Sequence, residues 1–208
     1  MLPTYGVSTS YSSHLSTKLS SHYTYKMDFS SSTYSVTRKT SHTSLPFETV
    51  MSNLYTSIGR PTDMKWLTMG ANIKSFDDAS RENFIKEVEA AVGPEGFMIF
   101  IELNHSTWLP LFNVNSNPQL GLKRIIIGNP LIAVTMLSQS TKSLDAGLFV
   151  PVEIMVRELP DGEGTEIIWQ VPSTMIAAVD EGNSELLAAA EVLDRKLEEL
   201  IIVIGSRA

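Results

Sequence analysis

The chain has 208 residues, 43% hydrophobic and 19% charged, which suits one ordinary globular domain. Its net charge of −7 excludes a general binder of nucleic-acid backbones, whose affinity comes from clustered Lys and Arg. The absence of cysteine excludes disulfide frameworks, thiolate catalysis and cysteine-ligated metals, and no apolar run approaches the roughly 18 residues of a membrane span.

The composition is uneven. Residues 1–45 hold 21 Ser or Thr, five of the six Tyr and three of the four His, with four basic residues against one acid. Residues 46–208 carry 12 basic residues against 22 acidic ones. With so little Leu, Ile and Val, residues 1–32 cannot bury enough apolar surface to offset chain entropy, so a disordered tail is expected. It is Ser-rich and acid-poor like an organellar transit peptide, but its first Arg is Arg38. An untargeted, phosphorylatable tail on a cytoplasmic protein is therefore the preferred reading, with organellar targeting as the alternative.

From residue 33 the pattern becomes structured, and a single domain over 33–205 is expected. Thr33–Thr40 alternates and reads as a strand. Val50, Leu54 and Ile58 lie at helical spacing after Leu45–Pro46–Phe47, and Gly59 and Pro61 stop that helix. A connecting stretch with Trp66 follows to about Asp78. Ser80 is expected to cap a helix whose apolar face is Phe84, Val88, Ala91 and Val92, ended by Gly93–Pro94. Gly96–Leu103 is an apolar run of strand length, and Asn104–Trp108 leaves it in a short helical turn. Leu122–Gly128 forms another strand. Asn129–Pro130 starts a helix burying Ile132 and Met136, since Asn favours the N-cap and Pro the first helical position.

Leu148–Leu159 alternates, Pro160–Gly164 is a hairpin turn, and Thr165–Val171 returns. The last helix, from about Ser184, carries Leu186, Ala190, Leu193, Leu197, Leu200 and Ile204 as a narrow apolar stripe. The order β-α-α-β-β-α-β-β-α implies an α+β fold, a two-layer arrangement of helices packed against a mixed five-stranded sheet.

Gly96–Phe97 opening a strand, Gly128–Asn129–Pro130 at a helix start, and Gly147–Leu148–Phe149–Val150–Pro151–Val152–Glu153 together resemble the domain of unknown function 302 family. Asn104–His105 followed by Trp108 resembles the pattern of a longer branch of that family. The resemblance runs from about Tyr34 to Ile204, loosely between Gly59 and Asp78. It implies a compact two-layer α+β domain, often a homodimer, with no established activity. Many members carry Cys just after the proline of the fourth strand. Here that residue is Val152, so a thiol-based role cannot apply.

His105 is the one histidine of the domain, where an apolar strand emerges into a loop; it is either a local hydrogen-bonding residue or a proton carrier near neutral pH. Glu102 is on the opposite strand face from it, poor geometry for a metal pair, and no second His or Cys is at hand, so no metal and no cofactor is expected. Glu153 lies mid-strand opposite the Val150/Val152/Ile154 row, buried if that face is covered and solvated if it is open. The Gly128–Asn129–Pro130 turn presents a helix N-terminus that would suit a carboxylate or phosphate. No nucleotide loop and no GxSxG elbow is present.

Two functions follow as expectations. The first is a non-catalytic module that binds a small anionic ligand or self-associates, with His105, Trp108, Gly128, Asn129, Pro151 and Glu153 meeting in one pocket. The alternative is a small enzyme using His105 and Glu153 as an acid/base pair on an acidic or carbonyl substrate. A homodimer is expected, on the stripe of the last helix and on the resemblance.

Overall fold

The computed structural model describes residues 27–60, 65–112 and 120–207, with the side chains of Lys65 and Leu67 left out. The chain falls into two units, Met1–Thr33 and Tyr34–Ala208. Of the expected tail, residues 1–26 lie outside the described residues, while 27–33 are exposed without regular structure. The second unit holds every element described below.

In chain order these are β1 (Arg38–Thr43), α1 (Phe47–Ser57), α2 (Lys65–Ala71), α3 (Asp78–Ala91), β2 (Met98–Asn104), β3 (Leu122–Gly128), α4 (Pro130–Leu137), β4 (Val152–Glu158), β5 (Thr165–Gln170), α5 (Ser173–Ile176) and α6 (Ser184–Ser206), with short 3-10 segments between several of them. The strands form one sheet in the order β1-β5-β4-β3-β2. The fold is α+β and two-layer.

The sheet corrects one expectation. It is antiparallel at all four strand pairings, not mixed. The helix between β3 and β4 suggested a parallel crossing, which would have to carry the chain back along the full strand length. The eight residues of α4 reach only about 12 Å, and the 3-10 segment Lys142–Leu148 turns the chain back. The chain therefore re-enters beside the end it left, with Ile127 opposite Val152.

Alternation sorts the strand residues onto two faces. Ile125 and Ile127, Val152, Ile154 and Val156, and Ile167 and Trp169 point to one face and are buried. There α1 contributes Phe47, Val50, Met51 and Leu54, and α6 contributes its whole stripe. The stripe is core of its own chain, so it cannot hold a second subunit and no longer supports a homodimer. The other face carries Arg124, Ile126, Glu153, Met155, Arg157 and Ile168, none of them fully buried.

A smaller apolar cluster joins α2 and α3 to β2 through Met69, Val88 and Met98, with Trp66, Phe84 and Phe100 packed against it. The exposed edge of β2 is occupied here: the Trp66 indole N–H donates to the Phe100 carbonyl at 3.0 Å, and Gly59 bridges to Met98. Such cover blunts an edge that would otherwise template foreign strands.

Local boundaries shift where tertiary pairing decides them. The first strand runs over Arg38–Thr43 because its register is set by β5, from Arg38 opposite Gln170 to Thr43 opposite Thr165. The cap of α3 is Asp77, whose carboxylate accepts from the Ser80 N–H at 2.8 Å; Ser80 lies inside the helix. β4 begins only at Val152, because Pro151, which follows a cis peptide bond, has no N–H for the ladder.

Candidate functional site

Asn129 shapes the start of α4. Its side-chain oxygen accepts from the Leu131 N–H at 2.9 Å and its amide donates to the Gly96 carbonyl at 3.0 Å, tying the helix to the loop before β2. Gly128 is needed beside it: a Cβ there would stand 2.8 Å from the Phe100 ring and 3.0 Å from the Pro151 ring. Strand end, aromatic ring and proline therefore close on one another only around a glycine.

Beside this contact lies a pocket of about 210 Å³, lined by Phe100, Asn129, Ala133, Met136, Pro151 and Leu193 among others. Nearly all of its wall is carbon. Gly128, Asn129 and Pro151, three of the six residues expected to meet, meet here.

The anion seat expected at this helix start is not present. Pro130 has no N–H, Leu131 donates to the Asn129 side chain, and Ile132 and Ala133 both donate to the Asn129 carbonyl at 3.0 Å. The first turn keeps its donors for its own chain, so the helix end offers an anion nothing to bind. An apolar ligand suits the pocket better.

Glu153 looks onto the less covered sheet face. Both Nε and Nη2 of Arg124 donate to its Oε2, the former at 2.6 Å. It lines a second recess of about 310 Å³ with Arg124, Ile126, Phe149, Gln170 and Met175, and the two recesses share Val150, Pro151 and Val152. Glu153 is thus a half-exposed partner of an arginine.

His105 and Trp108 lie elsewhere. Asn104 pairs with Lys123 at one end of the β2–β3 ladder, and Met98 with Gly128 at the other. The six steps from Leu122 to Gly128 measure about 20 Å at about 3.3 Å each, so His105 does not reach Asn129. Glu153 sits opposite Ile126, four of those steps from Leu122, or about 13 Å along the strand. The acid/base pair of the enzyme reading is therefore not assembled. His105 opens a 3-10 turn capped by Asn104, and its ring meets the Trp108 ring edge-on at 5.8 Å.

A polar cluster that the sequence reading passed over lies on the helix-covered face. The Tyr55 hydroxyl donates to Glu102 Oε2 at 2.8 Å, and Lys123 Nζ reaches Glu102 Oε1 at 2.8 Å and the Tyr55 oxygen at 3.0 Å. The Arg60 guanidinium stacks 3.8 Å from the Tyr55 ring centroid. Burial alone would push Glu102 up, but the bonds from Lys123 and Tyr55, with the charges of Lys123 and Arg60, outweigh it and hold the carboxyl below its usual range. Burial likewise pulls Lys123 down, and its bonds to Glu102 and Tyr55 overcome that and raise it. Burial and the neighbouring Glu102 raise the Tyr55 phenol, against the bond from Lys123. One signal was readable: Lys123 shares the strand row of Ile125 and Ile127, and a lysine on a core-facing row needs an acid.

Fold and site together define a two-layer α+β domain with an apolar pocket at one end of its sheet. Residues 73–204, well over half of the chain, match the family described as Domain of unknown function DUF302, and the chain belongs to that family. Its fold is also that of the uncharacterized conserved protein DUF302 from Bacillus stearothermophilus, known from a crystal structure. The TM-score is 0.51 at 14% identity, over 80% of this chain and 97% of that one. At that identity the likeness concerns the fold alone. No curated protein matches the chain. Among the described residues no helix is long and apolar enough to cross a membrane.

Proposed function

We propose that this domain is a non-catalytic module that binds a small, largely apolar molecule between the start of α4, Phe100 and Pro151. The observation carrying this reading is the pocket of about 210 Å³ itself, walled by side chains of four elements and closed around Gly128. Its volume exceeds the roughly 150 Å³ of an apolar protein cavity able to hold benzene. Apolar walls with a few polar groups at the rim are the usual make-up of a small-molecule site.

The test is a panel of fluorinated aromatic fragments observed by 19F NMR, with backbone amide shifts recorded on the protein. Binding should move the amides of Ala133, Met136 and Leu193 and raise the melting temperature, since a ligand of the folded state alone stabilises it. Ala133→Leu, which fills the pocket from a half-exposed position, should abolish both effects while leaving the circular dichroism unchanged. Fragments that bind with amide shifts confined to other regions would refute the reading.

A further inference from the structure

We infer that the recess around Glu153, on the sheet face opposite the helices, binds a free α-amino acid with an apolar side chain. The inference stands apart from the apolar pocket, with which this recess shares only Val150, Pro151 and Val152. Its volume of about 310 Å³ lies at the small end of the roughly 300–1,000 Å³ usual for ligand sites, which suits a molecule of this size. Ile126, Phe149 and Met175, all half-buried, supply its carbon walls.

Pairing register lays the polar groups in one row across the sheet. Arg38 on β1 stands opposite Gln170 on β5, and Ile126 on β3 stands opposite Glu153 on β4. Ile154 pairs with Trp169, so Glu153 and Gln170 are the next step along that ladder and share the other face. Neighbouring strands lie about 4.8 Å apart, which puts the backbones of Arg38 and Glu153 about 10 Å from each other with Gln170 between them. Long side chains at both ends can therefore close on one small molecule lying over Gln170.

Each end of the row keeps bonding capacity that the fold does not use. Arg124 donates twice to Glu153 Oε2, which fixes the carboxylate and leaves Oε1 with no partner among the described residues. The Arg38 guanidinium and the Gln170 side-chain amide make no ion pair or hydrogen bond among those residues either. An anionic acceptor and a cationic donor thus stand uncommitted at opposite ends of one short row. A simple carboxylic acid would leave Glu153 unanswered, and a simple amine would leave Arg38 unanswered. An α-amino acid answers both. Its ammonium donates to Glu153 Oε1, its carboxylate accepts from the Arg38 guanidinium and the Gln170 amide, and its side chain lies against Phe149 and Met175.

Amide NMR titration of the full chain with L-leucine, L-methionine and L-phenylalanine, each to millimolar concentration, tests the inference. At least one should shift the amides of Phe149, Glu153 and Gln170. Its N-acetyl derivative, which lacks the ammonium, and its primary amide, which lacks the carboxylate, should each bind at least tenfold more weakly, because a site built for a polar group rejects the analogue without it. Arg38→Gln should weaken the amino acid at least tenfold and leave the primary amide unchanged, while Glu153→Gln should do the same with the N-acetyl derivative unchanged. Arg157→Gln, on the same face but outside the recess, should alter neither. Both site positions are exposed or half-exposed, so the variants fold. No shift with any of the three amino acids overturns the proposal, as do analogues that bind equally well or an affinity indifferent to both site variants. Shifts confined to Ala133, Met136 and Leu193 also overturn it, and would assign the amino acid to the apolar pocket instead.

Discussion

Lys123 and Glu102 show what one ion pair does when it is more than half buried. Their side chains are 19% and 23% exposed, so solvent screens them less than the other ion pairs of the sheet. Glu102 is held below its ordinary value near 4.5, so its contribution to stability is present above that value and disappears as the pH falls through the lowered one. Lys123 is raised above 10.5, so its contribution is present below that value and disappears as the pH rises past the raised one. The cluster therefore supports the fold across the neutral range and fails at both extremes. Lys123→Met should cost about 1–3 kcal/mol at neutral pH, because Glu102 keeps Tyr55 but loses its countercharge. Urea unfolding at neutral and acid pH checks the sign: the wild type should lose more stability on acidification than the variant. An equal loss in both would mean that Lys123 does not hold the carboxyl down.

Among elements, the crossing of two glycines decides whether α1 and α3 can be joined to β2. The N–H groups of Gly59 and Gly93 both donate to the Phe97 carbonyl, at 2.8 and 2.9 Å. A Cβ on Gly59 would stand 1.8 Å from the Ala91 carbonyl oxygen, and one on Gly93 would stand 2.4 Å from the Ile58 carbonyl carbon. Backbone cannot swing aside as a flexible side chain does, so Gly59→Ala should destabilise by at least about 3 kcal/mol. Gly70, in α2, has nothing within 4 Å of its would-be Cβ. Gly70→Ala should therefore raise stability by about 0.5–1 kcal/mol, the ordinary gain of alanine over glycine in a helix. Paired thermal melts decide the matter, and similar changes in both variants would refute the crossing. In α6, Leu197 is fully buried and Leu197→Ala should cost about 2–5 kcal/mol through the cavity it leaves. The same variant should leave the sedimentation coefficient of the folded protein unchanged, because the stripe meets only its own chain.

For the whole molecule, the boundary of the folded unit follows from where the chain joins the sheet and the segments packed on it. The Tyr34 ring meets Phe149 edge-on at 5.9 Å, and the Thr37 carbonyl accepts from the Val171 N–H at 2.8 Å. Residues 27–33 are exposed and outside any regular element. Deleting residues 1–30 should therefore leave the melting temperature unchanged, and limited proteolysis of the full chain should stop near Ser31–Ser35. A fall of several degrees on deletion would show that the amino-terminal segment packs on something it needs.

Elements whose signals are local were legible in the order of residues alone. The stripe of α6 marks a long helix, Asn129–Pro130 a helix start, Pro160–Gly164 a hairpin, and the alternation after Pro151 a half-buried strand; each rests on a period or a turn preference that acts within a few residues. α2 was missed because seven residues around Trp66 carry too short a pattern, and their apolar side chains are used against β2 and α3. Strand direction was decided only in three dimensions. A strand–helix–strand order permits either sense, and the length of the return path after α4 chooses between them. The site divides in the same way. Gly128, Asn129 and Pro151 were legible as a turn and a strand entry, and they meet because β3 and β4 pair with these ends adjacent. His105 and Trp108 carried equally good local signals but hang from the far end of the β2–β3 ladder, and Glu102, Lys123 and Tyr55 meet across three elements that no spacing in the chain connects. Local sequence sets which way a side chain points from its element, while pairing register and packing set which elements arrive beside it.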